Sequence, residues 1–166
     1  VNEWGDLVNK IKSKNIPLIR LGAGDKIKNS AAKIDFLSPN SELTQSAELN
    51  DTGLVELIES NGLKALLTAD IGAVTEKYLA SHFNLRADIL KVPHHGSRFS
   101  SSAVFLDAVK PKVAIIEVGI KNKYGHPTRE ALQRLADVSA AVLRTDKNGQ
   151  ITASAAAGKL KIFTEK

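Results

Sequence analysis

A chain of 166 residues, 43% hydrophobic and 25% charged, is the size of one domain, can bury a sizeable core and lies far from the composition of disorder. It contains no Cys, which removes disulfides, thiolate zinc sites and thiol nucleophiles together, and no apolar run approaches the length of a bilayer span. The formal net charge of +5 favours an anionic partner such as nucleic acid, a phosphate ester or an acidic surface, although a lysine-rich surface more often serves plain solubility.

Trp4, Leu7, Val8 and Ile11 fall at helical spacing and predict a short amphipathic helix over 3–14. The β-branched stretch 16–21, ended by Gly22 and Gly24, reads as a strand, and 33–37 as another, closed by Ser38-Pro39-Asn40. Residues 40–53 are polar and read as loop. The runs 54–58 and 63–68 flank Asn61-Gly62, a strong hairpin signal. The rhythm then changes. A helix over 74–83 (Val74, Tyr78, Leu79 and His82 on one face) precedes a strand over 87–92, and a helix over 103–109 precedes a nearly continuous apolar run, 113–118, expected of a strand buried on both faces. A helix over 129–138, capped by Thr128, leads to short strands at 142–144, 151–153 and 160–163, with Asn148-Gly149 as the turn between the first two. No repeat or linker interrupts the chain, so 1–166 reads as a single sheet-rich α/β domain.

Three polar clusters stand at the ends of apolar strands. The first is Leu66-Leu67-Thr68-Ala69-Asp70. The second is Val92-Pro93-His94-His95-Gly96-Ser97, followed by Arg98 and a run of hydroxyls. The third is Lys123-Tyr124-Gly125-His126-Pro127. Ligands of α/β sheets bind beyond the carboxyl ends of the strands, so one carboxylate and two histidine loops at one edge form a plausible hard-to-borderline metal site. Taken singly, Asp70 would be a helix cap and His126 a turn residue. The coincidence of the three is what carries weight.

The series 66–71, 89–97, Pro111-Lys112, Tyr124-Gly125-His126-Pro127 and 144–149 resembles the metallo-β-lactamase-like domain of the ComEC competence (DNA-uptake) proteins, over roughly Ile34 to Ala153. The resemblance implies an αββα sandwich with metal at one edge, and hydrolysis of phosphodiesters as a nuclease acting on DNA, single-stranded in particular. It implies two divalent ions, zinc or manganese. Asp70 matches the bridging carboxylate, and His94 or His95 the last histidine ligand, with His94 favoured as ligand and His95 as its neighbour near substrate. His126 matches a histidine over the site that contacts phosphate or assists proton transfer; Asp70, His95 and His126 are thus the catalytic candidates. Ser97 would hold the loop or bond phosphate, while Lys91, Arg98 and Lys123 would attract a backbone. The resemblance also places the domain outside the cytoplasmic membrane or in the secreted fraction, with no membrane contact from this segment.

The chain departs from that pattern. Ala69 stands where the family has Gly, and 50–53 differs from the expected loop. The His-x-His-x-Asp-His motif that supplies the other ligands is absent from all 166 residues. With no Met in the chain as well, it reads as the C-terminal part of a longer domain, lacking its N-terminal strands, with an incomplete metal site and little activity alone. The alternatives are a non-catalytic, metal-free DNA-binding or interaction domain of the same fold, and a hydrolase of small phosphodiesters.

Overall fold

Residues 3–46, 48–156 and 158–166 are described by a computed structural model; Val1, Asn2 and Ala157 lie outside it, as does Ala47 within the polar loop expected over 40–53. In chain order the elements are α1 (Glu3–Ser13), β1 (Lys26–Lys28), β2 (Ala32–Ser38), β3 (Val55–Ser60), β4 (Leu63–Leu67), α2 (Ala73–His82), β5 (Ile89–Lys91), α3 (Ala103–Val109), β6 (Val113–Ile116), α4 (Arg129–Asp137), β7 (Ala141–Arg144), the single helical turn α5 (Thr145–Asn148), β8 (Ile151–Ala156) and β9 (Lys159–Thr164). Short 3₁₀ turns at Leu43–Gln45 and Leu49–Thr52 lie within the polar loop.

Strands β1 to β7 form one seven-stranded sheet in sequence order, antiparallel from β1 to β4 and parallel from β4 to β7. The change of direction follows from the connections. Asn61 and Gly62 both adopt positive φ, as a two-residue hairpin requires, and join β3 to β4 antiparallel. From β4 onward each connection contains a helix, the only economical way to bring the chain back for a parallel neighbour. The core mixes strand residues Val55, Leu66, Leu90, Ala114 and Ile116 with helix residues Leu79, Phe105, Leu106, Val109 and Leu135, so α2, α3 and α4 cover one face. All four parallel strands therefore end at one edge, and the loops after them share it.

The opposite face is less covered. In β6 only Ala114 and Ile116 are buried; Val113 and Ile115 are half-buried, so the strand is enclosed on one face rather than on both as its apolar run suggests. The β8–β9 hairpin meets this side, where Asn61 Nδ2 donates to the Ala155 carbonyl at 3.2 Å. Among the described residues the second layer is this two-stranded sheet alone, so the architecture is a mixed sheet flanked by helices.

Three expectations change. Residues 16–21 form no strand: Pro17 has no N–H to donate, Ile16, Leu18 and Ile19 are exposed, and β1 occupies the edge of β2 instead. Asn148-Gly149 does not join paired strands. The Asn148 side chain accepts from the Arg144 amide at 2.9 Å to close α5, and β8 pairs with β9. On α2 the buried face is Thr75, Glu76 and Leu79, with Val74 exposed.

Candidate functional site

The edge is assembled by hydrogen bonds to backbone carbonyls of successive loops. Thr68 Oγ1 donates to the Lys91 carbonyl at 2.6 Å, tying the end of β4 to the end of β5, and the His94 amide donates to the Ala69 carbonyl at 3.2 Å. Ala69 has φ +45°, a left-handed conformation that costs an alanine about 1–2 kcal/mol relative to glycine's free access. The Thr128 amide donates to the Gly96 carbonyl at 2.9 Å, joining the β5 loop to the start of α4. Gly96 has φ +82°, and a Cβ there would stand 2.6 Å from Pro127 Cβ.

The histidine doublet follows from its backbone. His94 (φ 49°, ψ 40°) and His95 (φ 53°, ψ 23°) are consecutive left-handed residues, so their rings part. His95 turns toward Asp70 and His94 toward His126. The His95 Nδ1–H donates to the Glu117 carbonyl at 2.7 Å. A carbonyl can only accept, so the proton sits on Nδ1 and Nε2 is left facing Asp70 Oδ1 at 3.5 Å. That separation is longer than a good hydrogen bond. It matches the spacing of two ligand atoms around one tetrahedral ion, about 3.3–3.4 Å for bonds of about 2.0–2.1 Å. An orienting carbonyl on the other ring nitrogen is also what metal-ligating histidines have.

Other contacts weigh the other way. Lys91 Nζ stands 3.7 Å from the same Asp70 Oδ1 and donates to the Ala69 carbonyl at 2.9 Å, so an ammonium already faces that carboxylate oxygen. The rings of His94 and His126 meet edge to face at 5.8 Å, and Tyr124 stacks on His126 at 6.1 Å. His126 Nδ1 is buried and has no hydrogen-bond partner among the described residues, while Asn122 closes the loop through the His126 amide and carbonyl. Burial first, then the nearby His94 and His95 rings, hold the His126 imidazole below its ordinary pKa, against a weaker opposing pull from Asp70. Among the described residues no group of three or more His, Asp or Glu side chains is placed to hold a metal ion. Asp70 and His95 supply two ligand atoms where a zinc site needs three or four, so the residues present do not fit a metal pair.

The remaining residues singled out from the sequence divide in two. Ser97 is buried and accepts from the Phe99 amide at 3.3 Å, which makes it part of the loop's frame. Arg98 and Lys123 are exposed, with the Arg98 guanidinium 5.1 Å above the Phe99 ring.

The chain is a distant homologue of competence proteins. It is 36% identical over 84% of its length to ComE operon protein 3 of Bacillus subtilis, and 33% identical over 76% to competence protein ComA of Neisseria gonorrhoeae. To recombination protein 2 of Haemophilus influenzae it is 33% identical over 76%. It spans only 18%, 18% and 16% of those relatives. No family model matches. In fold it is similar to a Parabacteroides distasonis protein described as a metal-dependent hydrolase. That match has a TM-score of 0.53 at 16% identity and covers 83% of this chain and 61% of the other.

Two side chains that the sequence reading passed over hold the loop after the doublet. Glu76, fully buried on α2, accepts from the Ser101 and Ser102 amides, the latter at 2.8 Å. Arg134 of α4 donates to the carbonyls of Arg98, Ser100 and Ser101 at 3.0, 2.8 and 2.8 Å. Burial raises the Glu76 pKa above the ordinary glutamate value, against the lowering effect of those amides and of Arg134. The signal was present: Glu76 lies three residues before Leu79, on the stripe that packs inward. Asp51 ties the polar loop to α2 instead, accepting from Thr75 Oγ1 at 3.0 Å and Ser46 Oγ at 2.8 Å.

Proposed function

We propose that this chain is the C-terminal part of a metallo-β-lactamase-like domain in a longer DNA-uptake protein, and that by itself it binds the DNA backbone without hydrolysing it. The observation that carries this reading is at Asp70. Its Oδ1 is met by one imidazole and one ammonium, with no third ligand group among the described residues. An ammonium beside the carboxylate supplies positive charge where a cation would otherwise be drawn. The exposed cations Arg98 and Lys123 and the net charge of +5 favour a polyanion. The likeness to competence proteins supports DNA as that polyanion and an extracytoplasmic setting. Fluorescence anisotropy with a labelled single-stranded oligonucleotide tests it. Log affinity should fall linearly with log salt, and the oligonucleotide should stay intact. Absence of binding at low salt overturns it.

A second reading rests on one contact, His95 Nε2 facing Asp70 Oδ1 with its other nitrogen fixed by Glu117. Two acceptors so placed are satisfied by a proton or by a cation. On this reading Asp70 and His95 are two ligands of a metal-dependent phosphodiesterase whose remaining ligands lie elsewhere in the longer protein. Equilibrium dialysis of the longer protein against Zn²⁺ or Mn²⁺ separates the two. A stoichiometric ion lost in both Asp70→Asn and His95→Gln selects the second reading; no ion, or one retained in both variants, selects the first.

A further inference from the structure

Phe99 and Tyr124 are two large rings turned to solvent, 70% and 84% exposed, on loops that follow different strands. Both line one cleft of about 320 Å³, together with Arg98 and His126. Neither ring is needed by the core: the buried cluster contains Phe105 and omits both. A lone exposed ring needs no explanation, but two that line one cleft form the kind of contiguous exposed patch that marks a binding surface.

The loops are held. The backbone on either side of Phe99 is fixed through Arg98, Ser100, Ser101 and Ser102 by Arg134 and Glu76. Tyr124 lies near-parallel to His126, with an interplanar angle of 18°. Arg98 lies over the Phe99 ring. The cleft is thus lined by two aromatic rings, each paired with a cationic or imidazole plane that lines it too. Of the residues lining it Arg98 is cationic and Glu130 anionic, and the exposed cations Lys121, Lys123 and Arg129 adjoin Tyr124 and Thr128 along the chain.

We infer that the cleft between Phe99 and Tyr124 receives an unpaired base of single-stranded DNA, held by stacking, while the surrounding Lys and Arg side chains track its phosphates. An aromatic slot with a cationic rim is the general means of gripping single strands irrespective of sequence, since every base has a π-face. A duplex keeps its bases stacked on one another and offers no free face to such a slot. The inference rests on the DNA-binding reading above and specifies the strand state and the groups that grip it.

The test compares a labelled oligothymidylate with an abasic oligonucleotide of the same length and charge, using the whole chain and anisotropy. The wild-type chain should bind oligothymidylate more tightly. Phe99→Ala and Tyr124→Ala should each weaken that binding about five- to a hundred-fold, leaving abasic affinity unchanged. Phe99→Trp should restore it. Equal affinity of the wild type for both oligonucleotides, or an equal loss of both in the alanine variants, overturns the stacking site and leaves backbone binding standing. Binding to neither overturns both. The exposure of the two rings keeps the variants folded, which circular dichroism checks.

Discussion

Removing the Glu76 carboxylate should loosen the loop that follows the histidine doublet more than it disturbs the core. Glu76 is fully buried and receives two backbone amides, from Ser101 and Ser102. Hydrogen bonds to a charged group contribute about 1.5–3 kcal/mol each, and orphaned buried amides cost about 1–3 kcal/mol each. The carboxylate's own desolvation works against it, as its raised pKa records, so the net loss in Glu76→Ala should be about 3 kcal/mol rather than the sum. Glu76→Gln keeps one acceptor and turns a donor toward the other amide, for about half that loss. Urea unfolding gives the stability, and amide exchange at Ser101 and Ser102 gives the location. The pH dependence adds a sign. With its folded pKa raised, Glu76 binds more protons in the native than in the unfolded chain between the two values, so its contribution favours folding below that window and is lost as pH rises through it. Glu76→Gln should lack that slope. A Glu76→Ala variant within about 0.5 kcal/mol of wild type, with protection at Ser101 and Ser102 unchanged, would refute the clamp.

Arg134→Ala should cost about 2–3 kcal/mol by releasing the carbonyls of Arg98, Ser100 and Ser101. Because Arg134 and Glu76 hold the same loop, a double-mutant cycle should show coupling of about 1 kcal/mol, and strict additivity would mean two independent supports. Asp146 pairs with Arg144 at 2.5 Å, which holds its carboxyl below the ordinary aspartate value. Its folded pKa being depressed, the stability it contributes is present above the unfolded value and is lost as pH falls through the folded one. Asp146→Asn should therefore flatten the acid limb of the stability curve, and an unchanged limb in thermal melts from neutral to acidic pH would count against that ion pair.

The parallel half of the sheet could be read from the alternation of apolar runs with helical spacing, and the Asn61-Gly62 hairpin from its turn residues. Those signals are local and each agrees with the final fold. The stretch 16–21 misled because its composition favours a strand while a strand also needs a pairing partner, and it is Lys26–Lys28 that pairs with β2. Clustering of Asp70, His94, His95 and His126 was legible because strand ends in a parallel sheet share an edge. Which imidazole faces which partner was not, since that depends on two successive left-handed residues and on a backbone carbonyl at Glu117 that no side-chain pattern announces. The aromatic walls at Phe99 and Tyr124 escaped for the opposite reason. Each is a lone ring in a polar stretch, and they become a pair only in three dimensions.

The contact of Gly96 with Pro127 bears on how such a site can drift over time. The gap between the loop carrying the doublet and the loop carrying His126 is gauged by one missing methyl group, since a side chain at 96 would wedge the two apart. An uncharged exchange at 96 or 127 could therefore reset the distance between imidazoles while every ionisable group stayed in place. A survey of acidic, basic and imidazole positions alone would read such a descendant as intact.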